Sequence, residues 1–231
     1  MPTILAKRRF MHQFTPDHNP GLELWFDALD QSTMTFGAPN RVAEWRNKGA
    51  GSHFVQSVEA SRPTLTANIL NGRDALLLQG RRFDQIAVRN PCNEWTVFYV
   101  GQPSQNTTQR LMVTETDGVP SLNLTSGNKW VVNGSLSSVN NYGNIPQIAS
   151  FRIRTSSPTM TIWGNGSERT ESNTAVSTWP ESQSMQFFSL VAGTQAIGGY
   201  IGELLLYNVP LNDDQRRNVE QYLSVKWGIP A

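Results

Sequence analysis

Glu115 and Asp117, in the stretch "ETDGVP", are two carboxylates one residue apart. On a strand such a pair faces one side, the arrangement that the acid and the nucleophile of glycoside hydrolysis need. Gly118 and Pro120 follow at once and break the strand. The expected reading is therefore a solvated turn, and the chain is expected not to be an enzyme. Asp27, Asp30 and Asp117 carry the oxygen ligands that calcium takes. They form no dense D-x-D-x-D cluster, which leaves no cofactor as the first expectation and calcium as the open alternative. His12, His18 and His53 have no paired spacing and are expected to be solvated. No G-x-S-x-G nucleophile elbow occurs, and "GTQAIGG" lacks the lysine and the strand-to-helix setting of a phosphate loop.

Tryptophans offer a different chemistry, the stacking of sugar rings. Trp25, Trp45, Trp95, Trp163 and Trp227 lie in strand-like or helix-docking stretches and are expected in the core. Trp130 and Trp179 stand beside polar loops and are the candidates for an exposed carbohydrate-binding site. The N-x-S/T sequences at Asn106, Asn123, Asn133 and Asn165 are read as turn chemistry, because no secretory signal precedes them.

A formal net charge of +1 on 16% charged residues creates no field that would draw nucleic acid or an anionic membrane, and neither partner is expected. The one basic cluster, Lys7, Arg8 and Arg9 beside Phe10, reads as a solvated arm. Cys92 is alone, which excludes an intrachain disulfide and a Cys-rich zinc site. No segment approaches the ~18 apolar residues of a membrane span. Synthesis in a cytoplasm without export is the expectation.

These candidates must be held by strands. Residues 1–20 carry Pro2, Pro16 and Pro20 without periodicity and read as an extended arm; residues 21–231 read as one domain. "LELWFDA", "RPTLTANIL", "DALLLQG", "EWTVFYVG", "IASFRIRT", "MQFFSLVAG" and "YIGELLLYN" are strand-like, and residues 101–128 hold loops around one or two strands. Asn71-Gly72, Asn133-Gly134 and Asn165-Gly166 supply the positive φ angles of two-residue hairpins. The pattern predicts an all-β, two-sheet antiparallel sandwich or jelly roll. One helix closes it. Asn212 and Gln215 form a capping pair, Val219, Tyr222, Leu223 and Trp227 make one apolar stripe, and Gly228 and Pro230 end the run. Arg216, Arg217, Glu220 and Gln221 point elsewhere. Docked on that stripe, Leu223→Ala should cost on the order of 2 to 5 kcal/mol.

"LELWFDALDQSTMT", then the stretch from "VAEW" to "LLLQG", then "YIGELLLYNVPLNDDQRRNVEQYLSVKWG" resemble the concanavalin A-like lectin/glucanase superfamily, in its laminin-G-like jelly-roll branch, over residues 22–228. The most specific part is a strand of the form G-x-L-x-x-Y-N followed by a capped helix ending in Y-L-x-x-K-W-G. The resemblance implies that this helix packs against the sandwich. Glycosidases of the superfamily carry E-x-D-x-x-E on one strand, and "ETDGVP" departs from it at Pro120. Some relatives hold calcium at the sandwich edge, and Asp27 matches a family position.

Domains of this branch serve bacterial surface proteins and bacteriophage particles as carbohydrate-binding, adhesive or capsid-decorating modules. With an initiator Met, one domain and no export signal, the chain is expected to be a virion structural protein of a tailed bacteriophage, assembled in the host cytoplasm. It would decorate or cement the capsid as a homo-oligomer, anchored on the major capsid protein or other virion proteins through Lys7, Arg8, Arg9 and Phe10. The alternative is a carbohydrate-binding adhesin, a tail-fibre module or a bacterial surface lectin, with host polysaccharide as partner.

Overall fold

Alternating apolar residues separated by turn residues give the strands, which run along the chain as β1 (Leu22–Asp27), β2 (Met34–Phe36), β3 (Val42–Trp45), β4 (Phe54–Val55), β5 (Thr64–Leu70) and β6 (Arg73–Leu77). They continue as β7 (Trp95–Pro103), β8 (Gln109–Thr114), β9 (Ser121–Leu124), β10 (Trp130–Val132) and β11 (Leu136–Ser137). The last are β12 (Gln147–Ile153), β13 (Met160–Gly164), β14 (Glu168–Ser172), β15 (Met185–Phe187) and β16 (Gly199–Tyr207), and helix α1 (Asp213–Trp227) follows. This computed structural model describes residues 14–84, 93–104, 108–114, 121–132, 134–166, 168–174, 185–188 and 197–231.

The larger sheet has the order β14-β13-β12-β7-β16-β6-β5, with β1 also paired to β16. Facing it lies a sheet of order β11-β10-β9-β8-β15, and a small third sheet, β2-β3-β4, flanks the core. The fold is thus an all-β antiparallel sandwich closed by a C-terminal helix, as the sequence predicts, with the small sheet added. Every pairing is antiparallel.

Aromatic rings tie the layers. Phe26 of β1 stacks on Phe54 of β4 at 4.0 Å between centroids, and Phe54 meets Phe187 of β15 at 5.5 Å. Trp130 of β10 sits edge-on to Tyr99 of β7 and Phe151 of β12, each at 5.3 Å. Strands β7 and β12 are buried along nearly their whole length because one face meets the second sheet and the other lies under α1.

The local signals hold where their chemistry is local. Asn71 and Gly72, with φ of 49° and 72°, make the tight turn between β5 and β6, in which Leu70 pairs with Arg73. The other two Asn-Gly pairs differ from expectation. Val132 pairs with Leu136 and Gly164 with Glu168, so each of those loops is three residues long rather than two. Asn123 also departs from its turn reading: it lies buried on β9.

Helix α1 starts as predicted. The Gln215 backbone N–H donates to Asn212 Oδ1 at 2.9 Å, and the Asn212 N–H donates to Gln215 Oε1 at 3.0 Å. It ends at Gly228, whose φ of 65° is the left-handed conformation a C-cap glycine takes. Val219, Leu223 and Trp227 are fully buried against the large sheet, so the expected cost of Leu223→Ala, on the order of 2 to 5 kcal/mol by urea denaturation, stands as a prediction. A loss under about 0.5 kcal/mol would contradict the docking.

One expectation for the helix is corrected. Arg216 and Glu220 are buried, not solvent-facing. They form an i, i+4 ion pair, Glu220 Oε1 accepts from Ser150 Oγ at 2.7 Å, and the Arg216 guanidinium lies 4.4 Å from the centre of the Trp163 ring. Arg152 stacks on the same ring at 4.8 Å and reaches Asp213 at 2.8 Å. The charged stripe is therefore covered because the sheet supplies a partner for each charge.

Residues 14–20, placed in the arm by the sequence, include a 3-10 turn, Pro16–His18. The Tyr207 hydroxyl donates to the Pro16 carbonyl at 3.0 Å, and Phe14 meets Tyr222 edge-on at 6.3 Å. Lys7, Arg8, Arg9, Phe10, His12, Cys92, Asn106 and Asn133 lie outside the described residues. No helix of the described residues is long and apolar enough to cross a membrane.

Candidate functional site

A dense group of ionisable side chains sits where the C-terminal end of α1 meets β1 and β16. Asp27 and Glu203 are cross-strand partners and so face one side of the sheet, and Trp25, two residues before Asp27, shares that face. The register of β16 shifts at Gly202, where a side chain would run into the Trp227 ring. Glycine there lets the indole approach the strand closely. Trp227 Nε1 then donates to Glu203 Oε2 at 2.7 Å and Trp25 Nε1 donates to Glu203 Oε1 at 2.8 Å. Lys226 Nζ lies 2.7 Å from both Asp27 Oδ2 and Glu203 Oε2. Lys48 reaches Asp27 at 3.3 Å and Asp30 at 2.9 Å, and stacks over Trp25 at 4.1 Å.

Burial pushes the Glu203 carboxyl above its ordinary value against the pull of Lys226, and the neighbouring Asp27 charge adds to the rise. Burial likewise raises the Tyr222 phenol, with Glu203 and Asp27 adding to it. Asp30 moves the other way, held below the usual carboxylate value by hydrogen bonds from Ser32 and Lys48. Two carboxylates with perturbed neighbours invite a catalytic reading. Burial opposes it: Glu203 exposes no surface, and its oxygens already hold two indoles and an ammonium. What the arrangement does is fasten α1 to the sheet.

The same geometry bears on calcium. Asp27 Oδ1 accepts from the Leu29 N–H at 3.1 Å while Oδ2 faces two ammonium groups, and Asp30 accepts from Ser32 and Lys48. Cations of the protein's own already occupy the positions a metal would need, so these two residues do not fit a calcium site. Asp117, the third candidate, lies outside the described residues, as do Glu115 and Trp179. Among the described residues no group of three or more His, Cys, Asp or Glu side chains is arranged to hold a metal ion. His18 and His53 are exposed, and each accepts a backbone N–H through Nδ1.

Trp130 is a correction. It is fully buried, its Nε1 donates to Gln147 Oε1 at 2.6 Å, and its ring lies between Tyr99 and Phe151. A ring with no exposed face cannot stack on a sugar. Burial at Trp130 and Val132, with Val131 between them less covered, follows strand alternation, and that signal outranks the polar neighbours from which exposure was expected. Trp25, Trp45, Trp95, Trp163 and Trp227 are in the core as expected.

Exposed apolar side chains are found instead on the small sheet and just after it. Phe36, 39% exposed, is the most exposed aromatic side chain among the described residues. Val55 and Val58 are exposed nearby, and Thr35, Glu44 and Val55 form a cross-strand row on the outer face. This combination of an aromatic, aliphatic groups and hydrogen-bonding side chains suits the mixed surface of a sugar.

The chain matches no protein-family model and no curated relative by sequence. Its fold is shared with solved structures. Trypanosoma rangeli sialidase in complex with sialic acid matches with a TM-score of 0.54 at 12% identity, over 90% of this chain and 33% of that one. The same sialidase in complex with the inhibitor DANA matches with a TM-score of 0.52 at 12% identity, over 90% and 34%. The Ruminococcus gnavus IT-sialidase CBM40 bound to alpha2,3 sialyllactose matches with a TM-score of 0.43 at 14% identity, over 58% and 84%. The chain spans about a third of the length of the Trypanosoma sialidase. The expectation that the chain is not an enzyme is corrected here. Structures that share the fold over 90% of the chain include a sialidase, so the fold gives no ground for setting catalysis aside.

Proposed function

We propose that this chain is a carbohydrate-binding β-sandwich domain, a recognition module for glycans on a cell or particle surface. The observation that carries the reading is the fold likeness over 90% of the chain to a structure solved with sialic acid bound. The exposed Phe36, Val55 and Val58 supply a face of suitable chemistry. The laminin-G-like assignment belongs to this reading. It is supported by the way its motif residues Gly202, Leu223, Lys226 and Trp227 pack into one helix dock.

Of the two sequence expectations, the adhesin therefore comes first. The likeness to a sialidase structure solved with sialic acid bound gives decoration of a capsid no support. A receptor-binding role, as in a tail-fibre module or a bacterial surface lectin, is the form of the proposal that keeps host polysaccharide as partner. The test is a glycan array probed with the full chain, followed by titration of the strongest ligands. Saturable binding to a restricted set of glycans is expected, and its absence at millimolar ligand would sink the proposal.

A further inference from the structure

Three arginines far apart in sequence share one face beside Phe36. Arg41 and Thr64 are partners in an isolated antiparallel bridge, so their side chains leave the same side of the backbone. Arg62 is extended, with φ −68° and ψ 131°, and stands two residues before Thr64, which gives it that side as well. Arg81 Nη1 donates to the Thr64 hydroxyl itself. Thr64 is thus the centre of a face that Arg41, Arg62 and Arg81 surround. Gly37 connects it to Phe36: its N–H donates to the Arg41 carbonyl at 2.9 Å, and the Arg62 guanidinium occupies the space a side chain would fill.

The bonds these arginines make leave their charge unmatched. Arg41 Nη1 donates to the Glu59 carbonyl at 2.8 Å; Arg62 donates to the Gln56 and Ser57 carbonyls at 2.9 and 3.2 Å. Carbonyls and a hydroxyl orient a guanidinium without neutralising it, and each group keeps N–H donors that these bonds do not use. Glu44, Glu59 and Asp84 are the acidic residues of the neighbouring segments. None forms an ion pair with the three, whereas Arg152, Arg169, Arg216 and Arg217 are each paired with a carboxylate. All three arginines are half-buried, which limits the water that would otherwise screen them.

We infer that Arg41, Arg62 and Arg81 form an anion-binding face that takes the acidic group, carboxylate or sulfate, of a charged glycan. Planar guanidinium groups held at fixed positions bind such groups through paired, charge-assisted hydrogen bonds. Phe36, Val55 and Val58 beside them offer the less polar face of a sugar ring its contact. This specificity rests on the carbohydrate-binding reading, and the anion site itself does not.

The test titrates the full chain with sialylated, uronate-containing and sulfated oligosaccharides and their neutral parents. Acidic glycans should bind tenfold or more tightly than neutral ones, and added salt should weaken them. Arg41→Gln and Arg81→Gln should each lose about tenfold, the scale of a hydrogen bond to a charged group, with melting behaviour preserved. Arg41→Lys should recover part of the loss. Arg62 is left intact because it holds the turn at Gln56 and Ser57. Whether carboxylate or sulfate sugars bind identifies the source of the anion. Equal binding of acidic and neutral glycans, or indifference to the arginine variants, overturns the inference and leaves the carbohydrate reading standing. If no glycan binds but inorganic sulfate raises the melting temperature of the wild type and not of the Arg41→Gln, Arg81→Gln double variant, the anion site stands and the carbohydrate reading falls. If neither binds, both fall.

Discussion

Replacing Glu203 with leucine should destabilise the protein by about 3 to 5 kcal/mol, the range for removing one partner of a buried ion pair. The carboxylate is fully buried and accepts from Trp25 Nε1, Trp227 Nε1 and Lys226 Nζ. Leucine fills a similar volume, so the loss reports lost acceptors rather than a cavity. Two indole N–H groups would be stranded, each at about 1 to 3 kcal/mol, while Lys226 would keep Asp27 and the Tyr222 hydroxyl. The comparison is the exposed pair Arg169 and Glu171, where Glu171→Gln should change stability by less than about 1 kcal/mol. Urea denaturation of the three proteins decides the matter. A loss below about 1 kcal/mol for Glu203→Leu would mean that α1 is held by its apolar stripe alone.

The cluster also shows which parts of the structure the sequence exposes. Capping by Asn212 and Gln215, the turn at Asn71-Gly72 and the helix stop at Gly228 are set by residues within a few positions of one another, and each is visible in the chain. The motif residues Gly202, Lys226 and Trp227 are equally visible as letters, but their purpose emerges only when β16 and α1 are packed together. The motif's glycine makes room for its tryptophan, and the residue after that glycine binds the indole. Arg216 and Glu220 mislead because hydropathy scores a charge as solvent-facing, and a buried pair looks the same as an exposed one until Ser150 and Trp163 are placed beside it. Arg41, Arg62 and Arg81 have no periodicity to reveal them. They converge through the pairing of Arg41 with Thr64, a long-range register that no local signal specifies.

Trp130→Ala should cost about 3 to 5 kcal/mol, because truncating a buried aromatic removes its contacts and leaves a cavity. Its ring fills the space between Tyr99 and Phe151, joining the two large sheets. Its Nε1 also fixes Gln147, whose side-chain amide donates to the Tyr142 carbonyl at 2.9 Å, so truncation orphans a buried acceptor as well. Trp130→Phe separates the contributions: it keeps most of the ring, loses the N–H, and should cost about 1 to 3 kcal/mol. The distinction matters for glycan recognition. An alanine variant that no longer binds sugar is uninformative if it has also unfolded, so binding must be measured where Trp130→Phe remains native. Unchanged affinity in that folded variant is the expected result, since the ring touches core and not solvent. If Trp130→Ala instead lost binding while keeping wild-type stability, the indole would have to leave the core to meet ligand, and the packing of β10 against β7 and β12 would be wrong.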